Sequence, residues 1–492
     1  MQTHNLVSHL GAWSAGKGPL QRKLAQSLIQ AIRHGALHPG IRLPSERDLA
    51  QALTISRTTV VAAYDALREG GWVESRTGSG TWVSRSRVVA TARGSAQAGA
   101  LAASPLLGLL SSRDAEDLVD LVLGAPLPLS GLPPDRFTLP PEEYSALVND
   151  RRYYAKGLPA LRQAIASYYR KAGLATRPEQ ILVTNGAQQG ISLCAGLYLE
   201  RGDSALVEDP TYFGTLDAFR AAGARIMGVV TEADGVAPAV LRQRMIATSS
   251  RLVYLTTTFQ NPTGAVMPRT ARKEVARIAG DLGVPIIDDC TFFDLALEGS
   301  APPPLAAFAP DAPLITVGSL SKLIWPGLRI GWVRAPEAIV ERLAHLKSAI
   351  DLGSPLLTQA VAVRLLDEIE TIRKLRRLQL KPRRDLLASL LREWLPGWKF
   401  RLSTGGLFLW VKLPGGDSRE LAQTALRHGV VILPGPLMSA TERHAGFLRI
   451  PFIAEPESLR TGIKRLAAAW REYQSGARRE TPMAAEQHLG MV

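Results

Sequence analysis

From Pro19 onward, Leu20, Leu24, Leu28, Ile29 and Ile32 recur at spacings that gather apolar side chains on one face, which predicts an amphipathic helix ending near Gly35 and Pro39-Gly40. Leu43-Pro44-Ser45-Glu46-Arg47 starts a second helix, with Ser45 as N-cap, Asp48 three residues on, and Leu49, Ala50 and Leu53 as its core face. A third opens at Ser56-Arg57-Thr58-Thr59, a first turn crowded with hydroxyls and an arginine. Two short β-type runs follow, Trp72-Val73-Glu74 and Thr81-Trp82-Val83, joined by a basic, glycine-containing turn. The periodicity then lapses. Residues 86–117 turn to Ala, Ser, Gly and scattered Arg and are expected to form a flexible linker, although Pro105 to Leu110 is apolar enough to dock on a domain. From Leu118 the runs ILVTNG, SALVEDP, LVYLTTTF, PIIDDC, LITVGSLSK and RIGWV alternate with helical stretches. Such alternation predicts an α/β domain whose parallel sheet is covered on both faces.

The organisation expected is therefore an N-terminal module over 13–85, a linker over 86–117, a large module over 118–475 and a polar tail over 476–492. A chain of 492 residues exceeds what one hydrophobic core usually organises. Apolar residues at 46% and charged residues at 21% exclude a disordered chain. The formal net charge is +14, and the stretch through Arg87 holds eleven Lys/Arg against five Asp/Glu, so that end is the better candidate for meeting an anion. Two cysteines, Cys194 and Cys290, imply no disulfide framework and read as buried small residues. With no long apolar segment and no basic leader before one, a cytoplasmic location without membrane contact is expected. The eight histidines show no paired metal spacing, and no metal site is proposed. The basic stretch Arg373-Lys374-Leu375-Arg376-Arg377 reads as a solvated helix face.

The phrase LPSERDLA…SRTTV…AYDALREGGWVESRTGSGTWV, carried on helix, helix-turn-helix and β-wing, resembles the winged-helix domain of the GntR family over residues 15–85. The resemblance implies that Arg47, Ser56, Arg57, Thr58 and Thr59 contact operator phosphates and bases, while Arg76 and Gly78 bring the wing tip to the minor groove. The chemistry agrees, because arginine presents a fork of donors suited to a guanine edge or a phosphate, and short hydroxyl side chains admit the backbone closely.

In the large module, Ser319-Leu320-Ser321-Lys322 precedes Pro326-Gly327-Leu328-Arg329. A lysine can form a Schiff base with an aldehyde cofactor, and two serines and an arginine can hold a phosphate. Gly186-Ala187-Gln188 turns from a strand end into a helix, where free N–H groups cradle anions. Tyr212 offers a ring to stack, Asn261 an amide for a ring oxygen, and Asp289 a carboxylate for a pyridine nitrogen. Arg449, among apolar residues, calls for a carboxylate partner. In this order the motifs resemble fold-type I aminotransferases from about 118 to 475. That resemblance implies pyridoxal 5'-phosphate, an internal aldimine on Lys322, Asp289 on the pyridine nitrogen, and phosphate held by Ser319, Ser321, Arg329 and the Gly186-Ala187-Gln188 turn. It also implies Tyr212 stacked on the ring, Asn261 on its phenolic oxygen, and Arg449 on a substrate carboxylate. One departure stands out: where many relatives carry a tyrosine that bonds the cofactor oxygen, this chain has Phe292, which cannot donate.

The two resemblances together describe the MocR-type subfamily of GntR regulators. They imply a DNA-binding transcriptional regulator whose cofactor-loaded domain senses an amino acid, an amine or vitamin B6, acting as a head-to-tail homodimer with each winged helix near the other subunit's large domain. The alternatives are an active amino-acid aminotransferase with an accessory DNA-binding domain, and a large module kept as a dimerisation scaffold.

Overall fold

The computed structural model describes residues 6–7, 10, 13–14, 18–33, 36–37, 40–76, 80–84 and 118–479; the expected linker, Gly35, Pro39 and Gly78 lie outside them. The three N-terminal helices form as the apolar spacing predicts: α1 (Leu20–Arg33), α2 (Glu46–Leu53) and α3 (Arg57–Glu69). Ser45 Oγ accepts from the Asp48 N–H at 3.1 Å and Ser56 Oγ from the Thr59 N–H at 3.2 Å, so each helix start spends its own hydroxyl on an orphan donor. Leu24, Leu28, Leu49, Leu53, Val60 and Leu67 close one core together with Val73 and Val83. Those valines belong to β1 (Val73–Arg76) and β2 (Gly80–Val83), an antiparallel pair with Val73 opposite Val83. The Tyr64 hydroxyl donates to Pro44 O at 3.0 Å and ties α3 to the turn before α2.

Next comes β3 (Val119–Leu121), which joins a second, smaller sheet. The main sheet has seven strands, β4 (Ile181–Thr184), β5 (Ser204–Asp209), β6 (Arg225–Val230), β7 (Leu252–Leu255), β8 (Ile286–Asp289), β9 (Leu314–Ser319) and β10 (Gly331–Arg334), ordered β4-β10-β9-β8-β7-β5-β6. All six apolar runs became strands, and every residue of β4, β5, β7, β8, β9 and β10 is buried, as a sheet covered on both faces requires. Two features were not foreseen. The strand β10 runs antiparallel to both neighbours, because the loop from β9 returns through short turns without the crossover helix a parallel strand needs. The edge strand β6 buries only Val229 and exposes Arg225, Met227 and Val230, unlike the fully buried strands beside it.

The smaller sheet adds β11 (Lys399–Phe400), β12 (Phe408–Lys412), β13 (Val430–Pro434) and β14 (Phe447–Pro451), ordered β11-β12-β14-β13-β3. Helices Ser418–Arg427 and Pro456–Arg479 accompany it, the latter running beyond the boundary expected at 475. The long helix Ile369–Trp394 leads from the main sheet's module into this smaller unit. Among the described residues, no helix is long and apolar enough to cross a membrane.

Candidate cofactor site and nucleic-acid interface

Parallel strands that end side by side deliver their following residues to one edge, which is where ligands bind in such sheets. Here β5, β7, β8 and β9 lead into Tyr212, Asn261, Asp289 and Lys322, and all four line one cavity. Ala187, Gln188, Ser319, Ser321 and Arg329 form more of the same wall.

Lys322 Nζ donates to the Gly124 carbonyl at 2.8 Å. Burial first, and then the Arg449 and Arg329 charges, push its amine down to about 8. Asp289 is held from both sides: the Thr291 N–H reaches Oδ1 at 2.9 Å and the Tyr254 hydroxyl reaches Oδ2 at 2.5 Å. Burial raises its pKa despite these donors. Its neighbour Asp288 faces away, accepting from the Thr257 hydroxyl and the Leu305 N–H.

At the other end, Gly186 (φ 80°) is the N-cap of helix Ala187–Tyr198, with no side-chain cap. The Arg329 guanidinium donates to Asn185 O at 2.7 Å, beside that turn. A Cβ on Gly331 would lie 2.5 Å from the Gly186 carbonyl carbon, so only glycine lets β10 pass this close to the turn. Ser321 Oγ is buried without a partner, as is Gln188 Oε1. Ser319 differs, since its hydroxyl donates to Ile330 O and accepts from the Ser321 N–H, both at 3.1 Å.

Arg449, on β14 of the smaller sheet, is 3% exposed. It donates to Asn261 Oδ1 at 3.2 Å and Val122 O at 2.6 Å, while its Nε has no partner. The guanidinium lies 4.0 Å from the Phe408 ring centre and 5.6 Å from that of Phe213. Burial pushes its pKa down to about 9, which leaves it cationic at neutral pH. Because Asn261 Oδ1 is engaged, the amide nitrogen is the end left to donate to a ring oxygen. Phe292 packs edge-on against Phe408, centroids 5.8 Å apart.

These groups fit pyridoxal 5'-phosphate. The orphaned Ser321 hydroxyl, the uncapped helix start and Arg329 suit a phosphate, Asp289 a pyridine nitrogen, Tyr212 a flat ring, and Lys322 an aldehyde carbon. Reading the sequence missed Gly124 and Val122, whose carbonyls carry no side-chain signal, and Tyr254, whose hydroxyl in an otherwise apolar buried strand was the available hint.

The solvated-face reading of 373–377 holds for Lys374 and Arg377, which are exposed, and is corrected for Arg373 and Arg376. Arg376 is 1% exposed and donates to Leu323 O at 2.7 Å, Ile324 O at 2.9 Å and Leu127 O at 3.0 Å, clamping the loop after Lys322 to the segment after Gly124. Arg373 pairs with Asp294 at 2.5 Å. The helix is packed on the side of Arg373 and Arg376, which find carbonyls and a carboxylate, while Lys374 and Arg377 stay exposed.

In the N-terminal module, Arg47, Ser56, Arg57 and Thr58 are exposed and Thr59 is half-buried. Ser56 Oγ caps α3 and shares hydrogen bonds of 2.8 Å with the Thr58 and Thr59 hydroxyls. Arg57 pairs with Glu46 at 3.1 Å. Arg76 closes β1 opposite Gly80.

A winged helix followed by an aminotransferase-like fold defines a class of transcriptional regulator. Residues 20–83 match the bacterial regulatory proteins of the gntR family, and residues 148–466 match aminotransferase class I and II. The chain is 31% identical to YisV, an uncharacterized HTH-type transcriptional regulator of Bacillus subtilis, over 91% of this chain and 95% of that one. It is 27% identical to the probable rhizopine catabolism regulatory protein MocR of Rhizobium meliloti, over 93% and 95%. Among solved structures, LysN, the α-aminoadipate aminotransferase of Thermus thermophilus complexed with N-(5'-phosphopyridoxyl)-L-leucine, superposes with a TM-score of 0.65 at 26% identity, covering 73% of this chain and 94% of that one. The kynurenine aminotransferase of Pyrococcus horikoshii does so with 0.69 at 27%, covering 75% and 95%. The chain belongs to the MocR-type regulators, in which a GntR helix-turn-helix domain is fused to an aminotransferase class I domain.

Proposed function

We propose that this regulator binds pyridoxal 5'-phosphate in the cavity around Lys322 and uses it to sense an amino acid, an amine or a form of vitamin B6. When bound, that group supplies an aldehyde that condenses with primary amines. The observation that carries the reading is the buried Lys322 amine, its pKa pushed down to about 8, in one wall with Asp289 and the orphaned Ser321 hydroxyl. Neutral amine is the nucleophilic form, so the shift prepares Lys322 at physiological pH. Asp289 keeps a ring nitrogen protonated, Tyr212 covers the ring face, and Ser321, Arg329 and the N–H groups of Ala187 and Gln188 hold the phosphate. Ser319 acts from behind by ordering Ser321. Arg449, buried beside the cavity residue Asn261 and with its Nε unpartnered, is the group to pair with an effector carboxylate.

Phe292 leaves Asn261 as the polar neighbour for the ring oxygen. That favours sensing over turnover. On the DNA side, Arg47, Arg57 and Arg76 meet phosphates and base edges, the hydroxyls of Ser56, Thr58 and Thr59 line the approach, and Gly78 admits the wing tip to the minor groove. A second copy completes the unit: Tyr153 is 79% exposed, Ile350 67% and Leu352 53%, on two segments that meet where Gly353 approaches the Tyr154 backbone, and this exposed apolar surface supports an interface there.

The test is the visible absorption of the cofactor-loaded chain during titration with a panel of amino acids and amines. A persistent shift with one of them supports the sensor. Full conversion to the pyridoxamine form, with turnover once a keto acid is supplied, supports an aminotransferase instead. No visible band with added cofactor defeats the reading.

A further inference from the structure

Lys347 has 0% exposure, which a lysine tolerates only with a partner for its charge. It lies one turn before the end of helix Glu337–Asp351, and its Nζ donates to Asp351 Oδ1 at 2.7 Å. Neither residue is in the cavity wall. An apolar side chain of similar length would fill the same space without the desolvation penalty of a buried ion pair. The helix packs Val340, Leu343 and Ala344 into one core with Ile191, Leu193 and Cys194 of helix Ala187–Tyr198, the helix whose start forms the anion-binding turn.

Asp351 uses both of its oxygens. Oδ1 takes Lys347 and the Gly353 N–H, the latter at 3.1 Å, while Oδ2 accepts from Gln189 Nε2 at 2.8 Å and from Asn185 Nδ2 at 3.3 Å. Burial works against the charged form, but Lys347 and Gln189 lead the donors that outweigh it and hold the carboxyl below its ordinary value. A carboxylate on the last residue of a helix also meets the negative end of the helix dipole, an unfavourable place unless a cation answers it. Lys347 answers it, and the carboxylate is then free to bind two amides of the anion-binding turn.

Those amides decide the shape of the turn. With its Nε2 on Asp351, Gln189 presents Oε1 to the Asn185 N–H and accepts from it at 2.8 Å. A reversed amide would set its oxygen against the carboxylate and leave the Asn185 N–H without an acceptor, so Asp351 fixes which way Gln189 points. The Asn185 carbonyl in turn accepts from Arg329 at 2.7 Å. Asn185 is therefore held by its side chain, its N–H and its carbonyl before the chain passes through Gly186 into the helix. Its own N–H is withdrawn from any anion, and the N–H groups left to offer at the helix start are those of Ala187 and Gln188, both in the cavity wall.

We propose that Asp351 is a positioning residue for the phosphate site, with Lys347 as its counter-ion, and that the pair holds the Asn185–Gln189 turn in the arrangement that offers the Ala187 and Gln188 N–H groups to an anion. The inference rests on the reading of this cavity as a pyridoxal 5'-phosphate site, and it assigns where the preference for the phosphorylated aldehyde over the bare one is set. A turn fixed beforehand binds without an ordering cost, whereas a turn whose Gln189 amide can rotate must be ordered by each ligand that arrives. Since neither Lys347 nor Asp351 is in the cavity wall, their loss should act on the phosphate end and leave the aldehyde end, at Lys322 and Asp289, as it was.

The experiment compares equilibrium binding of pyridoxal 5'-phosphate and of pyridoxal, followed by visible absorption, in the full-length parent, in Asp351→Asn and in Gln189→Leu. An amide at 351 must turn its NH2 toward Lys347 or Gln189, both donors, so the arrangement is lost. Each substitution should weaken pyridoxal 5'-phosphate binding about tenfold and change pyridoxal binding less than about twofold. Lys347→Met should do the same in the parent and add little once Asp351→Asn is present, because the cation acts through that carboxylate. Equal losses for both aldehydes, or no loss for either, overturn the proposal. Should Asp351→Asn fail to fold, Gln189→Leu, which leaves the ion pair in place, decides it. Inorganic phosphate gives a second readout: it should slow amide hydrogen exchange of the peptide covering Asn185 to Gly190 in the parent, and the variants should need about tenfold more of it. If the parent shows no visible band with either aldehyde, the cofactor reading fails and the phosphate comparison still decides the turn. Equal protection by phosphate in parent and variants, or none in the parent, overturns the role given to Asp351.

Discussion

The Tyr254 hydroxyl donates to Asp289 Oδ2 at 2.5 Å inside the main sheet, where neither residue meets bulk water. Burial raises the Asp289 pKa, and the Thr291 and Tyr254 donors oppose that rise by favouring the carboxylate form. Tyr254→Phe keeps the ring volume and removes one donor. Losing a hydrogen bond to a charged group should cost about 1.5–3 kcal/mol. The urea midpoint of the cofactor-free chain, followed by tryptophan fluorescence, should fall accordingly, and pyridoxal 5'-phosphate should bind more weakly. An unchanged midpoint would mean the bond adds no net stability.

Lys322 links pH to cofactor capture. An ordinary lysine is almost wholly protonated at neutral pH, whereas an amine near 8 has an appreciable neutral fraction. The rate at which added pyridoxal 5'-phosphate is captured should rise with pH and level off above about 8. A profile still climbing toward 10 would mean that the amine is not buried in solution. Lys322→Ala should abolish the response of DNA binding to effector and leave basal DNA binding intact; loss of both would contradict the division of labour between the modules.

Glu208 has 0% exposure, and its Oε1 meets no partner while Oε2 accepts from the Thr256 N–H at 2.8 Å. Burial, with Asp288 and Asp289 adding repulsion, pushes its pKa up to about 8. A folded-state value above the unfolded one means that folding favours the protonated acid. Its stabilising contribution is therefore complete below the unfolded value of 4.5 and is lost as pH rises through about 8. Glu208→Gln should flatten this dependence and raise the unfolding free energy at pH 8 by on the order of a few kcal/mol. A variant no more stable than the parent at pH 8 would place water or a donor beside Oε1.

The sequence showed most of the cavity wall because its chemistry is carried by side chains at strand ends. Lys322, Asp289 and Arg449 each sit where an apolar run stops or where a charge interrupts one. Gly124 and Val122 were invisible for the opposite reason: they act through carbonyls brought close from some 200 to 330 residues away in sequence. Arg376 was misread because helical periodicity tells which residues share a face, not whether another segment covers it. The smaller sheet escaped notice since β3 pairs with β13 across the whole large module, a pairing no local pattern announces.

Arg57 offers the sharpest check of the DNA-reading face. Its pair with Glu46 at 3.1 Å joins side chains 70% and 32% exposed, so solvent screens it and it should contribute well under about 1 kcal/mol to folding. Arg57→Ala should thus leave the unfolding midpoint almost unchanged while weakening duplex binding. If Arg57 meets a phosphate, the slope of log affinity against log salt should fall by about one between about 50 and 200 mM. If it meets a base edge, the slope should stay and discrimination among operator sequences should fall instead. Glu46→Gln separates this from a general loss of charge. It frees Arg57 and removes a negative group from the approaching backbone, so affinity should rise. A decrease would mean that Glu46 holds Arg57 in its binding pose, and the pair would then act as one preorganised contact.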